Sequence, residues 1–547
     1  MADLTMLLAG PVLAGQFCGE DGISVLNLTL PVYALGMLLS MLNSTGACYR
    51  YTYEVGRCRE EEAHRQFGQA VIFAVVAGAV LALLAWWGRD AYYDFMGVSD
   101  KLYPLFYEYW PFFLLMLALD PLLTLLQTAV YSDGDARVCS TSVGVQLAGI
   151  VILPCCLCPV MGIAGISLGV AGGGLLACLV CLLHFLRREN SMRFRLHFRW
   201  RDFFYNAKYS LDDAFPLFYS GLFALVLTKY VVWLAGEAYL PVLTVVIGLV
   251  DACIITDAIG QAVQPLVSVC RGEGNRAGIR KAMRLATKWA VAEGILLSAL
   301  LYFGAGQLPE ALNIDDPSLL GEVELAGRIL TPIPLAYSLL YLYGSYYLMM
   351  ERVKLSLGIL LVRDLAASLA LPLCFGWCFG LHGVWLGVAL APVATLALAA
   401  AFVLVRHGRG MFPLLLERDG LNVLSRDLVL NTESIFTLQR HVEEFLKLHH
   451  VGEETRFKVL LLVEELYMLT LEKNSGRRIV AECTISMGPE ITFASRDTGI
   501  IFDITDADSP VSSFRSFVVS SMMEQHRRHR YLLTTSFNRQ LFRFPAV

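Results

Sequence analysis

The sequence predicts an α-helical polytopic membrane protein with about twelve transmembrane helices in two parallel six-helix repeats, followed by a small α/β domain. Three observations predict it. The 547 residues are 56% hydrophobic and only 17% charged, whereas a soluble chain carries roughly a quarter charged residues. The charges are unevenly spread: stretches 71–87, 147–160 and 365–379 hold none, and the last 130 or so residues have ordinary soluble composition. Finally, a glycine-marked pattern recurs at a nearly fixed distance along the chain.

Taken in order, the apolar segments fall at roughly 3–18, 25–47, 67–87, 104–131, 138–159, 161–186, 212–234, 240–269, 285–304, 326–350, 355–379 and 382–405. Most are close to the ~20 residues that span a bilayer core. The N-terminus runs into the first segment without a basic leader region, so no cleavable signal peptide is expected.

Orientation follows from Lys and Arg in the loops. With a cytoplasmic N-terminus, the inner loops hold Arg50, Arg57, Arg59, Arg65 and Arg137. The mid-chain linker adds Arg187, Arg188, Arg193, Arg195, Arg199, Arg201 and Lys208. The loop after the eighth segment and the start of the ninth add Arg271, Arg276, Arg280, Lys281, Arg284 and Lys288, and Arg352 and Lys354 follow the tenth. The outer loops hold only Arg89, Lys101 and Arg328, so the count is twenty against three. This places both termini and the α/β domain in the cytoplasm.

The repeat fixes the internal symmetry. Gly162, Gly165 and Gly169 recur as Gly380, Gly383 and Gly387, each 218 residues on. Gly19 matches Gly236 and Gly56 matches Gly272, at offsets of 217 and 216. Six helices per half give both halves the same orientation, which makes the repeats parallel. In secondary transporters, substrate and ion sites lie near the midplane at such a repeat interface. Units are expected at 1–202, 203–410 and 420–547. Against its partner the first helix is short, so either it is truncated or, the favoured expectation, the start codon lies upstream.

The ordered set of features resembles the multidrug and toxic compound extrusion (MATE) family over residues 1–408. It comprises two six-helix halves and the matched loops YEVGRCREEEAHRQFGQA from Tyr53 and VCRGEGNRAGIRKAMRLA from Val269. The YSDGDARVC loop after the fourth segment and the glycine-rich starts of the sixth and twelfth complete it. The resemblance implies an H⁺- or Na⁺-coupled antiporter that exports organic, often cationic compounds while its lobes rock about a central cleft. A drug-like cation, the coupling ion and the bilayer would be its partners. Many family members carry an acid in the first helix; the matching position here is Gly10, with Asp3 the nearest acid.

Charges inside hydrocarbon are costly and kept for a partner or a wet cavity. Those here are Asp120, Lys229, Asp251, Asp257, Glu293, Arg363 and Asp364, the candidate ion-coupling or substrate residues. Asp120 and Asp257 lead as proton or cation carriers. Lys229 and Asp251 lie at similar depth and are expected within reach of one another as an ion pair. Arg363 and Asp364 are helix neighbours, which point in different directions, so each is expected to need its own partner. Tyr337, Tyr341, Tyr343, Tyr346 and Tyr347 in the tenth segment are a cation–π cradle or, as their spacing favours, packing tyrosines. The fourteen cysteines lie mostly in apolar segments. Cys155, Cys156 and Cys158 lack the spacing of a zinc site, so the cysteines read as small fillers and no metal is expected.

After residue 409 two amphipathic helices, 432–449 and 453–473, precede alternating segments that read as strands. This order, over about 428–546, resembles the GHKL ATP-binding fold of bacterial anti-sigma-factor and histidine kinases, and so implies a bacterial cytoplasmic membrane. Family motifs are eroded. Glu464 and Glu465 stand on the expected helix, but the metal-binding Asn position is Leu469 or Met468. The adenine-reading turn keeps Asp497 and Gly499 and loses its second glycine, and the lid at 512–521 has none. Without glycine, backbone amides approach phosphates poorly. Glu465, Asp497 and Gly499 are therefore a weakened nucleotide site, and ATP with Mg²⁺ is the one cofactor the resemblance raises. Loss of catalytic phosphotransfer, no catalytic residue, and a sensor or a protein partner for this domain are expected. The net charge of −5 gives no hint of a nucleic-acid binder, and the basic run Gln525–Arg530 reads as a solvated or lipid-facing strip.

Two further readings belong to other classes. A lipid-linked oligosaccharide or polysaccharide flippase shares the two-lobe layout but should carry a strongly basic cleft, and Lys229 and Arg363 are the only mid-segment cations here. A membrane-tethered signalling enzyme would need the phosphate-binding glycines that the C-terminal domain lacks.

Overall fold

A computed structural model describes residues 2–57, 59–96, 100–186, 192–211, 216–273, 275–311, 317–415, 422–488, 490–500, 510–522, 527–532 and 536–545. Arg187, Arg188 and Gln525 lie outside them. The membrane part is entirely helical, as the bilayer requires, because a helix satisfies its own backbone hydrogen bonds. The first half comprises α1 (Ala2–Gly56), α2 (Glu60–Trp87), α3 (Tyr103–Ser132), α4 (Ala136–Met161) and α5 (Ile163–Phe185). A short helix, α6 (Trp200–Ala207), sits in the connector. The second half comprises α7 (Pro216–Ala235), α8 (Leu240–Gly272), α9 (Arg276–Gly304), α10 (Leu319–Met349) and α11 (Val353–Arg406).

Nine helices among the described residues are long and apolar enough to cross a membrane. Two of the runs are bent: α1 breaks at Gly19 and α11 at Gly380. Counting the piece of α1 before Gly19, α7, and α11 as two gives the twelve expected segments.

The repeat has a backbone cause. Gly19, Gly162, Gly236 and Gly380 all have φ between 58° and 93°, the left-handed region that side chains disfavour. They form the same two helix-to-helix turns in each half. Gly169 and Gly387 are set by close approach instead: a Cβ on either would lie 2.5–2.6 Å from Pro154 or Pro372. Those prolines are themselves 218 residues apart and complete the repeated helix crossing.

The C-terminal domain has its own apolar core, which includes Ile435, Val442, Leu462, Tyr467, Ile485, Phe493 and Phe542. Strand β1 (Val423–Val429) is followed by α12 (Thr432–Leu448) and α13 (Glu453–Lys473), then β2 (Val480–Ser486) and β3 (Glu490–Asp497). Helix α14 (Pro510–Ser521), β4 (Arg527–Leu532) and β5 (Ser536–Pro545) complete it. The five strands are antiparallel in the order β1-β2-β3-β5-β4. Asn431 and Ser434 form a reciprocal cap that starts α12.

Candidate functional site

Within the second half, two irregular turns place acids inside the bundle. Helix α8 tightens to a 3₁₀ turn over Cys253–Asp257, which leaves Asp257 buried, with the Gln261 amide donating to its Oδ2 at 2.7 Å. Helix α11 widens to a π turn over Val362–Ala366. Such turns are frequent at functional sites. Here the π turn brings neighbours together: Arg363 Nε and Nη2 donate to Asp364 Oδ1 and Oδ2 at 2.7 and 2.8 Å. This corrects the expectation that each needs a separate partner, because the long guanidinium folds back over the adjacent carboxylate. Arg363 is also 4.2 Å from the Tyr341 ring centroid and 5.7 Å from that of Tyr337. The cation lying on these tyrosines is thus the protein's own, while Tyr346 and Tyr347 are buried in the core. A Cβ on Gly260 would lie 3.0 Å from Asp257 Oδ1 and 3.5 Å from the Tyr341 carbonyl oxygen, so Asp257 and the Arg363–Asp364 pair flank the same tyrosine.

The remaining candidates stand apart. Asp120 precedes Pro121, which cannot donate to the carbonyl one turn back, and Ser40 donates to its Oδ2 at 2.8 Å. It lines a space of about 20 Å³ with Tyr33, Gln146 and Val170, room for one water molecule. Lys229 and Asp251 are both exposed and form no ion pair among the described residues. Equal depth did not bring them together, because depth leaves rotation about each helix free. Glu293 has one buried oxygen with no hydrogen-bond partner among the described residues.

Sequence reasoning missed two constellations. Buried His184 accepts or donates at both ring nitrogens, to Asp133 at 2.8 Å and Asp135 at 3.1 Å; the paired acids of the YSDGDARVC loop were the only signal. The other joins the two halves at the end of the bundle that holds the basic loops. The backbones of Gly56 and Gly272 touch there, and a Cβ on Gly272 would lie 2.4 Å from the Tyr53 carbonyl oxygen. Tyr49 and Arg271 both donate to the Met349 carbonyl, at 2.8 and 2.7 Å. Arg271 also bonds the Tyr49 hydroxyl, pairs with Glu351 at 2.9 Å, and lies over the Tyr53 ring.

With this architecture in place, comparison with solved structures is decisive for the fold. A MOP superfamily transporter from Pyrococcus furiosus, described as having a binding pocket of reversed polarity, superposes with a TM-score of 0.64 at 16% identity, over 75% of this chain and 93% of its own. The Vibrio cholerae MATE transporter VcmN in its bent form gives 0.65 at 14%, over 75% and 95%. A MATE protein in the straight conformation gives 0.65 at 16%, over 74% and 92%. The membrane part of this chain has the MATE transporter fold. The MatE family model matches residues 4–157, within the first half. No curated protein sequence matches the chain.

In this MATE fold the first half encloses a cavity of about 230 Å³ lined by Gly10, Asn27, Thr29, Tyr33, Tyr109 and Phe113, among others. Gly10, the first-helix position at which the resemblance leads to the expectation of an acid, lines that cavity. The Asp120 pocket shares Tyr33, Ile150 and Val170 with it.

In the C-terminal domain, the nucleotide candidates are engaged internally. The segment expected as a lid is helix α14, whose Arg515 lies 3.2 Å from Glu465 and 3.1 Å from Glu472. The Glu465 contact is a charge contact without hydrogen-bond alignment, and burial lifts that carboxyl above its usual range while Arg515 opposes the shift. Asp497 Oδ1 accepts from the Gly499 amide at 2.9 Å, and Asn474 accepts from Ile500 N at 2.6 Å. A Cβ on Gly499 would lie 2.7 Å from the Asn474 amide nitrogen, so the turn that should read adenine is packed on the end of α13.

Proposed function

We propose that this chain is a MATE-family antiporter that exports organic, often cationic compounds across the cytoplasmic membrane, driven by H⁺ or Na⁺. The observation that carries this reading is the membrane-embedded cluster of Asp257, Tyr341, Arg363 and Asp364 at two broken helices. A proton or metal cation taken up by Asp364 would leave the buried Arg363 guanidinium unpaired, which is expensive, so ion binding there is linked to a change in how Arg363 is held. Coupling therefore runs through the second half, with Asp120 and Glu293 as subsidiary proton carriers. The halves meet at the basic end, which the positive-inside rule puts in the cytoplasm, so this state is closed to the cytoplasm.

The reading extends to the tail. Asp427 and Glu482 are cross-strand neighbours, an arrangement of like charges that destabilises a sheet unless each has a partner. Lys281 reaches Asp427 at 2.7 Å and Asn275 donates to Glu482 at 2.8 Å, both from the start of α9. That start directly follows the Gly272 contact between the halves. The domain thus acts as a regulatory module of GHKL ancestry that senses or binds a protein partner, with no phosphotransfer.

The test is proteoliposome flux of a cationic dye by the full chain under separate Na⁺ and H⁺ gradients. Uptake under one gradient, lost in Asp257→Asn at equal abundance, is expected. Flux that is absent under both gradients, or indifferent to the substitution, overturns the coupling.

A further inference from the structure

The connector between the halves carries a surface that neither transport nor the tail uses. Its residues 193–199 form neither helix nor strand, and all but His197 are exposed. Along the sequence Phe194, Leu196 and Phe198 alternate with Arg193, Arg195, His197 and Arg199, and Trp200 and Phe204 follow on α6. These five apolar side chains are exposed, Leu196 at 85%, Trp200 at 63% and Phe204 at 66%.

The backbone beneath them is fixed to the first half. A Cβ on Gly68 would lie 1.8 Å from the Arg195 carbonyl oxygen, so the strap lies flush on α2. Gln69 clamps Arg199 through both backbone groups, accepting from its N–H and donating to its carbonyl at 3.3 Å each. Asn206 donates to Gln66 at 3.0 Å, Ser210 accepts from the Gly46 amide at 2.8 Å, and Arg50 pairs with Asp202 at 3.4 Å. A strap this firmly seated has no internal reason to leave five large apolar side chains uncovered.

Position identifies what covers them. Gln69, Phe73, Val76, Val80, Leu83 and Trp87 follow one face of α2, and the last four are exposed, as side chains against lipid would be. Phe203 stacks on Phe73 with centroids 4.1 Å apart. The strap therefore continues the lipid-facing stripe at its basic end. Tryptophan prefers the headgroup level, Phe and Leu beside basic residues are usual in interfacial segments, and clustered arginines match anionic headgroups.

We propose that residues 193–204 form an interfacial strap that binds anionic phospholipid of the inner leaflet, with Phe194, Leu196, Trp200 and Phe204 seated among the lipids and Arg193, Arg199 and Arg201 on their phosphates. Because the strap is fixed to α2, this grip holds the first half while the second moves.

The test uses the full chain in nanodiscs of mixed phosphatidylglycerol and phosphatidylcholine, with brominated acyl chains on one lipid or the other. The Trp200 signal is the fluorescence difference between wild type and Trp200→Phe, a conservative change at an exposed site. It should be quenched at least about twofold more when phosphatidylglycerol carries the bromine. High salt or the Arg193→Gln/Arg199→Gln/Arg201→Gln variant should remove the preference. Equal quenching by both lipids in wild type overturns the proposal. So does quenching by neither, which would place Trp200 in water or beneath a protein.

Discussion

The two halves share their turns and differ in their chemistry. Each bends at a pair of left-handed glycines and crosses its last two helices at a glycine–proline contact, Gly169 with Pro154 and Gly387 with Pro372. The first half lines a cavity of about 230 Å³ with uncharged side chains and holds Asp120 beside it through a serine. The second sets Asp257 and the Arg363–Asp364 pair beside two tyrosines. Positions that set backbone geometry are constrained by sterics whatever is transported, so a duplicated fold keeps them. Polar side chains inside the lobes are free to diverge, and here the buried guanidinium–carboxylate pair stands in the second half alone among the described residues.

Substitutions in the two halves should break this comparison if it is mistaken. Asp364→Asn and Asp257→Asn are expected to reduce gradient-driven dye flux to the level of empty vesicles. Asp120→Asn should leave a measurable fraction. The reverse ranking would move the coupling site into the first half. Arg363→Ala should instead act on stability, because it leaves Asp364 buried without its guanidinium, a loss of about 3–5 kcal/mol in comparable buried pairs. Thermal unfolding in detergent reads this out. The double variant Arg363→Met/Asp364→Leu should recover most of the loss, since it removes both charges.

The next effect concerns the contact between halves. Gly272→Ala drives a methyl group into the Tyr53 carbonyl, and overpacking of this kind costs about 1–3 kcal/mol. That cost falls on the closed state alone, so its population relative to the open one should drop roughly 5–150-fold. Spin-label distances across the basic end measure it. Gly248→Ala, on the same helix with open space around the glycine, is the control and should change nothing.

The sequence made the repeat legible because turn and crossing glycines leave a constant spacing that hydropathy does not blur. It also exposed Asp257, Arg363 and Asp364, since any charge stands out in an apolar run. Their arrangement was hidden, because a π turn has no composition of its own and helical angles misjudged the Arg363–Asp364 pair. His184 and Asp133 are 51 residues apart, and only the packing of α5 against the loop joins them. The C-terminal domain shows the same limit. The eroded motifs were readable one by one, but not that Arg515 would occupy Glu465, or that Asn474 would hold the Gly499 turn.

The smallest expected effects lie where the tail meets the membrane part. Asn275→Ala removes both the cap on the Gly278 amide and the bond to Glu482, a loss of about 1 kcal/mol for the cap. Lys281 and Asp427 are largely exposed, 73% and 49%, so breaking the pair should cost no more than about 1 kcal/mol. Lys281→Glu should free the tail slightly, and Lys281→Glu/Asp427→Lys should restore it, as read by amide hydrogen exchange over β1 and the start of α9. Glu465 offers a pH test of the tail itself. Its folded carboxyl titrates above the unfolded one because burial disfavours the charge, so ionisation lowers stability as pH rises through that range. Glu465→Gln should therefore match wild type in acid and equal or exceed it at neutral pH in a thermal scan. If Glu465→Gln instead unfolds earlier at neutral pH, the Arg515 contact outweighs burial, and Glu465 is a structural anchor rather than the remnant of a nucleotide site.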